Sequence, residues 1–442
     1  MPDSSVYRVK PSRLTSTQAV PPGSKSITIR ALLLAALAQG SSTLENVLDA
    51  EDSRIMLEVL RQLGVDVQFD PARRRAQVQG VQGVFPNQNA RLYVGNSGAT
   101  TRFITAALAF APSGVYKVDG KPRMRERPIG DLLRTLQFIG RDVVSDAQND
   151  CPPLTITGKR ADHTPIVAPI DANVSSQFLS GLLMAAPLAQ RDLVVQVNGA
   201  LPSKPYVAMT LEVMRAFGQN PRADAAFERF DNFQAGSYLG RNYAIEPDAS
   251  AASYFFALPA ILGGEMTIKG LSRNSLQGDV AFVDCLEQMG CQAHWGSDSI
   301  TLSRARGVDG TLCPLHGVEV DMNKCSDVAQ TLAVVALFAD SSTSIRNVAN
   351  MRVKETDRIA ALVRELRKLG ASVEERHDGL TIIPTSTLHG ASIATYDDHR
   401  MAMSFALAGL RLHDVVIEKP DCVAKTYPNY FEDLENATTP IV

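Results

Sequence analysis

Six times along the chain a short polar cluster runs straight into an apolar, helix-forming stretch, at intervals of roughly 75 residues. The clusters are Gly-Ser-Lys-Ser-Ile-Thr-Ile-Arg at 23–30, Gly-Asn-Ser-Gly-Ala-Thr-Thr-Arg at 95–102 and Asn-Val-Ser-Ser-Gln at 173–177. Pro-Asp-Ala-Ser-Ala-Ala-Ser at 247–253, Lys-Cys-Ser-Asp-Val-Ala-Gln at 324–330 and Tyr-Asp-Asp-His-Arg-Met at 396–401 complete the series. This period exceeds that of a solenoid, so each copy is expected to be a small α/β subdomain. A helix start offers unpaired backbone N–H groups and the positive end of the helix dipole, which suits an anion. Lys25, Arg30, Arg102, Lys324 and Arg400 lie in or beside the clusters. Six such ends meeting at one place would bind a polyanionic small molecule.

The first copy is a template for the rest. Ser24 or Ser26 caps a helix running through 32–37, and Gln39-Gly40 is a C-terminal stop. A strand at 43–47 follows, and Asp52-Ser53 opens a second helix over 55–63. Residues 65–69 and 76–81 alternate as two strands around the turn at Pro71. The second copy repeats this order as 103–110, 115–118, 129–139 and 142–145, and the fifth as 328–338, 343–348, 356–369 and 371–374. Each copy is therefore βαβαββ in cyclic order. The sixth is cut short near Glu435, so the N-terminal strand at 6–10 is expected to complete it. Three copies per domain place one domain at 22–246 and the other at 1–21 plus 247–442.

A net charge of −3 argues against non-specific nucleic-acid binding, and a single Trp with few other aromatics argues against base-stacking platforms. The six cysteines show no CxxC pair and no metal-ligand spacing, so free thiols in a reducing compartment are expected. No apolar stretch reaches the ~20 residues of a membrane span, and the N-terminus lacks an apolar signal core. The expectation is a cytoplasmic enzyme with no nucleic-acid or membrane partner.

At the six clusters the chain resembles the 5-enolpyruvylshikimate-3-phosphate synthases, within the enolpyruvyl transferases. The strings that carry the resemblance are PPGSKSITIRALLLAALA, GNSGATTR, PRMRERPIGDLL, VSSQFLSGLLMAAPLA, SKPY, DASAASYF, VKETDRIAAL, DDHRMAM and AKTYPNYF. They run in the family's order over residues 21–431. One departure falls at Ala99 and Phe103, where the family commonly carries Thr and Pro. The resemblance implies a two-domain inside-out α/β barrel of six βαβαββ repeats, three per domain, with the active site in the cleft between the domains. It also implies no metal and no tightly bound cofactor, with phosphoenolpyruvate and shikimate 3-phosphate as substrates; a monomer is expected.

Each cluster also has a plainer reading. Lys25 is a solvated helix-start lysine unless an anion is present, and Gly23-Ser24-Lys25-Ser26 lacks the first glycine of a P-loop. Asn96 to Gly98 reads as a capping turn, although Gly98 removes the side chain where an anion would approach backbone N–H groups. Ser175, Ser176 and Gln177 supply more short polar groups than one cap needs. Glu355 and Arg358 are i,i+3 partners that would stabilise a helix start on their own. By resemblance, shikimate 3-phosphate is held by Lys25, Ser26, Arg30, Ser175, Ser176, Gln177, Ser203, Tyr206, Asp327, Asn350 and Lys354. Phosphoenolpyruvate is likewise assigned to Lys25, Asn96, Gly98, Arg127, Gln177, Arg358, Arg400 and Lys425. Arginine forks match the phosphate and carboxylate of both substrates.

The implied reaction transfers the enolpyruvyl group to the 5-hydroxyl of shikimate 3-phosphate and releases phosphate by addition–elimination. Lys25, Asp327, Glu355 and His399 are the catalytic set. Acids in so cationic a site need a reason, and proton transfer supplies it. Asp327 is assigned the 5-hydroxyl proton and Glu355 the methylene proton, with the Lys25 and Glu355 roles interchangeable on sequence grounds. The nearest rival, the UDP-N-acetylglucosamine enolpyruvyl transferases, uses a loop cysteine in the second copy, and residues 120–130 contain none. A catalytically silent relative is the other rival, and a phosphate-release assay separates it.

Overall fold

A computed structural model describes residues 6–159, 167–189, 193–236 and 238–441, so the chain ends at 1–5 and 442 of the expected domain ranges lie outside the described residues. The chain forms two compact units, Gly23–Ile245 and Met1–Pro22 with Glu246–Val442.

The Gly23–Ile245 unit carries helices α1 (Lys25–Leu37), α2 (Glu51–Gln62), α3 (Gly98–Ala109), α4 (Gly130–Phe138), α5 (Ser176–Ala185) and α6 (Lys204–Ala216). One sheet pattern recurs. Strands Asn89–Tyr93 and Val115–Asp119 pair in parallel, and Leu154–Thr157 and Asp142–Ser145 add antiparallel beyond them. Val167–Asp171, Val194–Asn198, Arg229–Asp231 and Arg222–Ala223 repeat the order. The sheet of the first copy holds Ser41–Glu45, Arg75–Gln79 and Val67–Asp70, but borrows its parallel partner, Asn242–Ala244, from the far end of the unit. Local periodicity cannot reveal so distant a pairing.

The other unit carries α7 (Ala249–Leu262), α8 (Phe282–Gln288), α9 (Ala329–Val335), α10 (Arg358–Lys368), α11 (His399–Gly409) and α12 (Tyr430–Ala437). Here Gly264–Lys269 takes Gln18–Ala19 as its parallel partner. In the sixth copy Val6–Arg8 closes the sheet against Val416–Glu418, in register Val6↔Glu418.

The first helix of each copy is largely buried, polar residues at its start included. All residues of α3 and α7, and those of α1 from Ile27 onward, lie in the interior. The second helices are amphipathic. For instance, α2 buries Met56, Leu57, Val59 and Leu60 beneath an exposed polar face. Gly181 lets α5 approach α3, where an added Cβ would stand 3.0 Å from the Arg102 carbonyl oxygen.

Several boundaries differ from expectation, each for a physical reason. The helix expected over 103–110 starts at Gly98, because the Ala-Thr-Thr-Arg turn is itself helical. Asp52-Ser53 does not cap α2 but sits within its first turn, where Glu51 and Asp52 favour the dipole. The stretch expected at 328–338 breaks into a 3-10 turn (Asn323–Val328), α9 and a second 3-10 turn (Ala336–Phe338), with non-helical backbone at Cys325. The helix expected over 356–369 starts at Arg358, because the Asp357 carboxylate accepts from the Ala360 N–H at 3.0 Å. Lys354 and Glu355 are thereby left on the preceding turn, ahead of the helix.

Candidate active site

In the Gly23–Ile245 unit, Ser24 caps α1, accepting from the Ile27 N–H. Gly23 admits no side chain, since a Cβ would stand 1.9 Å from the Asn46 carbonyl oxygen. Lys25 and Ser26 follow on the first turn and are half-buried. Arg30, one turn on, is buried and donates to Thr210 Oγ1 (2.7 Å), to the Ser26 carbonyl (2.9 Å), and to Ser180 Oγ and the Tyr206 carbonyl (3.3 and 3.2 Å). These acceptors are all neutral. Burial pulls the guanidinium down to about 10, still charged at neutral pH. Ser175 caps α5 through the Gln177 N–H at 3.2 Å, placing Ser176 and Gln177 on its first turn. Ser203, buried and left-handed (φ +55°), leads into α6 just before Tyr206.

Asn96, Gly98 and Arg127 gather at the start of α3. Arg127 Nη1 donates to the Asn96 carbonyl at 2.9 Å and to its Oδ1 at 3.0 Å. A Cβ on Gly98 would meet Arg127 Nη2 at 2.6 Å and Arg102 Nη1 at 3.0 Å, so the glycine keeps room where two guanidinium groups converge. The two groups of residues are linked, because the Arg30 guanidinium lies 5.0 Å over the Phe103 ring and that of Arg102 lies 5.9 Å over Phe178.

In the other unit a second cluster centres on Asp327. Its carboxylate pairs with Lys354, with Arg358 Nη1 (3.4 Å) and with Arg400 Nη2 (3.0 Å). Glu355 lies 2.9 Å from Arg358 Nη2 and 4.0 Å from Lys425 Nζ. Asn350 Nδ2 and Lys354 Nζ both donate to Ser326 Oγ, at 3.3 and 3.2 Å. The three central cations therefore surround a carboxylate, and anionic ligands would share them with it. Burial pulls the Lys354 ammonium down, against the pull of Asp327. Burial also acts to lower Arg358, yet Asp398, Glu355 and Asp327 together outweigh it and leave that group above its ordinary value.

Asp398, to which sequence reasoning gave no role, is fully buried and grips Arg358 at both ends, accepting from Nε at 2.6 Å and from Nη2 at 3.1 Å. It also accepts from the Arg400 N–H at 2.9 Å, and His399 Nδ1 lies 3.6 Å from it. Tyr396 and Asp397, just before it, both adopt left-handed backbone (φ +54°), a conformation that costs of order 1–3 kcal/mol per residue. Buried Glu365 secures that turn, accepting from the Tyr396 hydroxyl at 2.5 Å and the Ala394 N–H at 3.0 Å. Lys324, grouped with the clusters on sequence, is exposed. Among the described residues no group of three or more His, Cys, Asp or Glu side chains could hold a metal, and no helix is long and apolar enough to cross a membrane.

Repeated βαβαββ copies whose buried helices begin in cationic, anion-ready clusters place the chain among the enolpyruvyl transferase folds. Solved structures agree in fold. An EPSP synthase from Acinetobacter baumannii superposes with a TM-score of 0.78 at 23% identity over 98% of each chain. The enolpyruvyl transferase NikO from Streptomyces tendae gives 0.74 at 18% identity, covering 98% of this chain and 99% of that one. The family signature of EPSP synthase (3-phosphoshikimate 1-carboxyvinyltransferase) matches residues 9–434. A 3-phosphoshikimate 1-carboxyvinyltransferase of Photobacterium profundum is 45% identical over 95% of this chain and 96% of its own. A chloroplastic one of Brassica napus is 45% identical over 94% of this chain and 82% of its own. The chain belongs to the EPSP synthase family.

Proposed function

We propose that this protein is a 3-phosphoshikimate 1-carboxyvinyltransferase in which the two clusters act on one substrate pair. It transfers the enolpyruvyl group of phosphoenolpyruvate to the 5-hydroxyl of shikimate 3-phosphate and releases phosphate. The observation that carries this reading is Asp327 and Glu355 set among Lys354, Arg358, Arg400 and Lys425, inside a chain of this family. Cations alone would only bind the two anions, whereas the carboxylates allow protons to move.

In this reading Lys25, Ser26, Arg30, Ser175, Ser176, Gln177, Ser203, Tyr206, Asn350 and Lys354 hold shikimate 3-phosphate. Asn96, Gly98, Arg127, Arg358, Arg400 and Lys425 hold phosphoenolpyruvate, with Lys25 and Gln177 touching both ligands. Asp327 takes the 5-hydroxyl proton as that oxygen bonds to carbon two of phosphoenolpyruvate. Glu355, or Lys25 in its place, gives a proton to carbon three, making a transient methyl group. Loss of a methyl proton to the same group then expels phosphate with the carbon–oxygen bond electrons, and His399 orients the carboxylate. The expected architecture is an inside-out α/β barrel in each domain, acting as a cytoplasmic monomer without cofactor. Phosphate release with shikimate 3-phosphate, and none with UDP-N-acetylglucosamine, is the test. The converse result would assign the chain to the rival transferases, and release with neither would make it a binding relative.

A further inference from the structure

Asp279 lies outside every role assigned above, yet its carboxyl is buried on the turn Gly278–Ala281. The Ser250 hydroxyl, on the first turn of α7, donates to Asp279 Oδ2. Ser250 Oγ in turn accepts from Arg400 Nη2 at 3.3 Å, and Arg400 Nη2 also reaches Asp327 Oδ2 at 3.0 Å. Arg400 Nη1 donates to the Asp327 carbonyl at 2.9 Å. A serine hydroxyl has one proton, so once it is given to Asp279 the oxygen lone pairs are turned toward the guanidinium. Arg400 is thus held from two sides, by Asp327 directly and by Asp279 through a hydroxyl.

The surroundings of Asp279 fit this arrangement. Burial first, then the charge of Asp327 on the neighbouring turn, push its carboxyl up to about 6, with Asp248 at the α7 cap adding to the effect. Arg400 from α11 and the Ser250 hydroxyl act the other way. Cys325 also faces it, and Asp279 contributes to raising that thiol.

We propose that Asp279, acting through the Ser250 hydroxyl, is a positioning residue that holds the Arg400 guanidinium in the orientation that receives phosphoenolpyruvate. The inference rests on the reading of Arg400 as a phosphoenolpyruvate ligand. Planar guanidinium recognition is directional, so a fork already fixed before the ligand arrives loses less freedom on binding.

The test is a double-mutant cycle on the full chain, with KM measured for both substrates in Asp279→Asn, Ser250→Ala and the double variant. Each single change is expected to raise KM for phosphoenolpyruvate about 3- to 10-fold, as loss of one hydrogen bond should. KM for shikimate 3-phosphate should stay within about twofold, and Asp279→Asn should add less than about twofold on top of Ser250→Ala. The ratio of wild-type to Asp279→Asn KM should also change through about pH 6, whereas a merely structural role would leave it flat. Equal rises in both KM values, or single effects that multiply in the double variant, would overturn the inference. Arg400→Lys separates the two levels. An unchanged KM for phosphoenolpyruvate in that variant would remove Arg400 as a ligand and the inference with it. A raised KM there with a multiplying cycle would sink the inference alone.

Discussion

Replacing Glu355 by Gln separates chemistry from packing more cleanly than any other single change. Glu355 is buried and lies 2.9 Å from Arg358 Nη2. The Gln oxygen can still accept that hydrogen bond, and Arg358 keeps Asp398 and Asp327 as partners. The loss of stability should therefore be about 1–2 kcal/mol, the difference between a charged and a neutral hydrogen bond. Glu355→Leu, by contrast, removes a partner from a buried cation and should cost about 3–5 kcal/mol. Turnover responds differently, because Gln cannot take or give the methylene proton. Loss of general acid–base catalysis is worth about 10² to 10⁴ in rate, or ~2.7–5.4 kcal/mol in the barrier. The assay is turnover in deuterated water, following deuterium in the enolpyruvyl product and in recovered phosphoenolpyruvate. Wild type should incorporate the label in both through the transient methyl group, and Glu355→Gln should do so at a rate lowered in step with turnover. Shikimate 3-phosphate should bind the variant within a few-fold of normal. Full turnover with normal labelling in Glu355→Gln would refute the proton role and leave Glu355 as an ion-pair partner of Arg358.

Lys354→Met should weaken shikimate 3-phosphate binding by about 10- to 150-fold, the worth of one charge-assisted contact, and calorimetry showing an unchanged Kd would remove Lys354 from that site. Gly98→Ala should raise KM for phosphoenolpyruvate with little change for shikimate 3-phosphate, because the new Cβ would displace the Arg127 guanidinium, 2.6 Å away; steady-state kinetics checks the split. Glu365→Gln weakens the grip on the left-handed Tyr396–Asp397 turn, so the melting temperature should fall and turnover with it, whereas loss of turnover at an unchanged melting temperature would contradict a purely supporting role. For Asp279, the folded carboxyl is pushed up to about 6 from an ordinary 3.8, so the fold binds the proton more tightly than the unfolded chain. Its contribution is therefore most favourable below the unfolded value and is lost as pH rises through about 6. Asp279→Asn, which carries no charge to bury, should gain stability relative to the parent between pH 4 and 8, and urea midpoints at the two ends measure it.

Much of the architecture is legible in the chain because short-range rules write it. Ser24, Ser175, Asp248, Asp357 and Asp398 cap helices, glycines such as Gly64, Gly140 and Gly370 follow second helices, and largely buried first helices recur, so the βαβαββ order follows from periodicity and turn chemistry. The residues later found around Asp327 could also be named, through the resemblance carried by strings such as VKETDRIAAL, DDHRMAM and AKTYPNYF. Only the tertiary structure decided the rest. Asn242–Ala244 and Gln18–Ala19 complete sheets whose other strands lie far away in the chain, and no local pattern encodes a partner so distant. Asp398 and Asp279 look like ordinary acids near turns in the sequence. Burial makes the first the two-pronged partner of Arg358 and the second a carboxyl reaching Arg400 through Ser250. Hydrogen bonding and desolvation depend on which groups meet in three dimensions, and chain spacing does not carry that information.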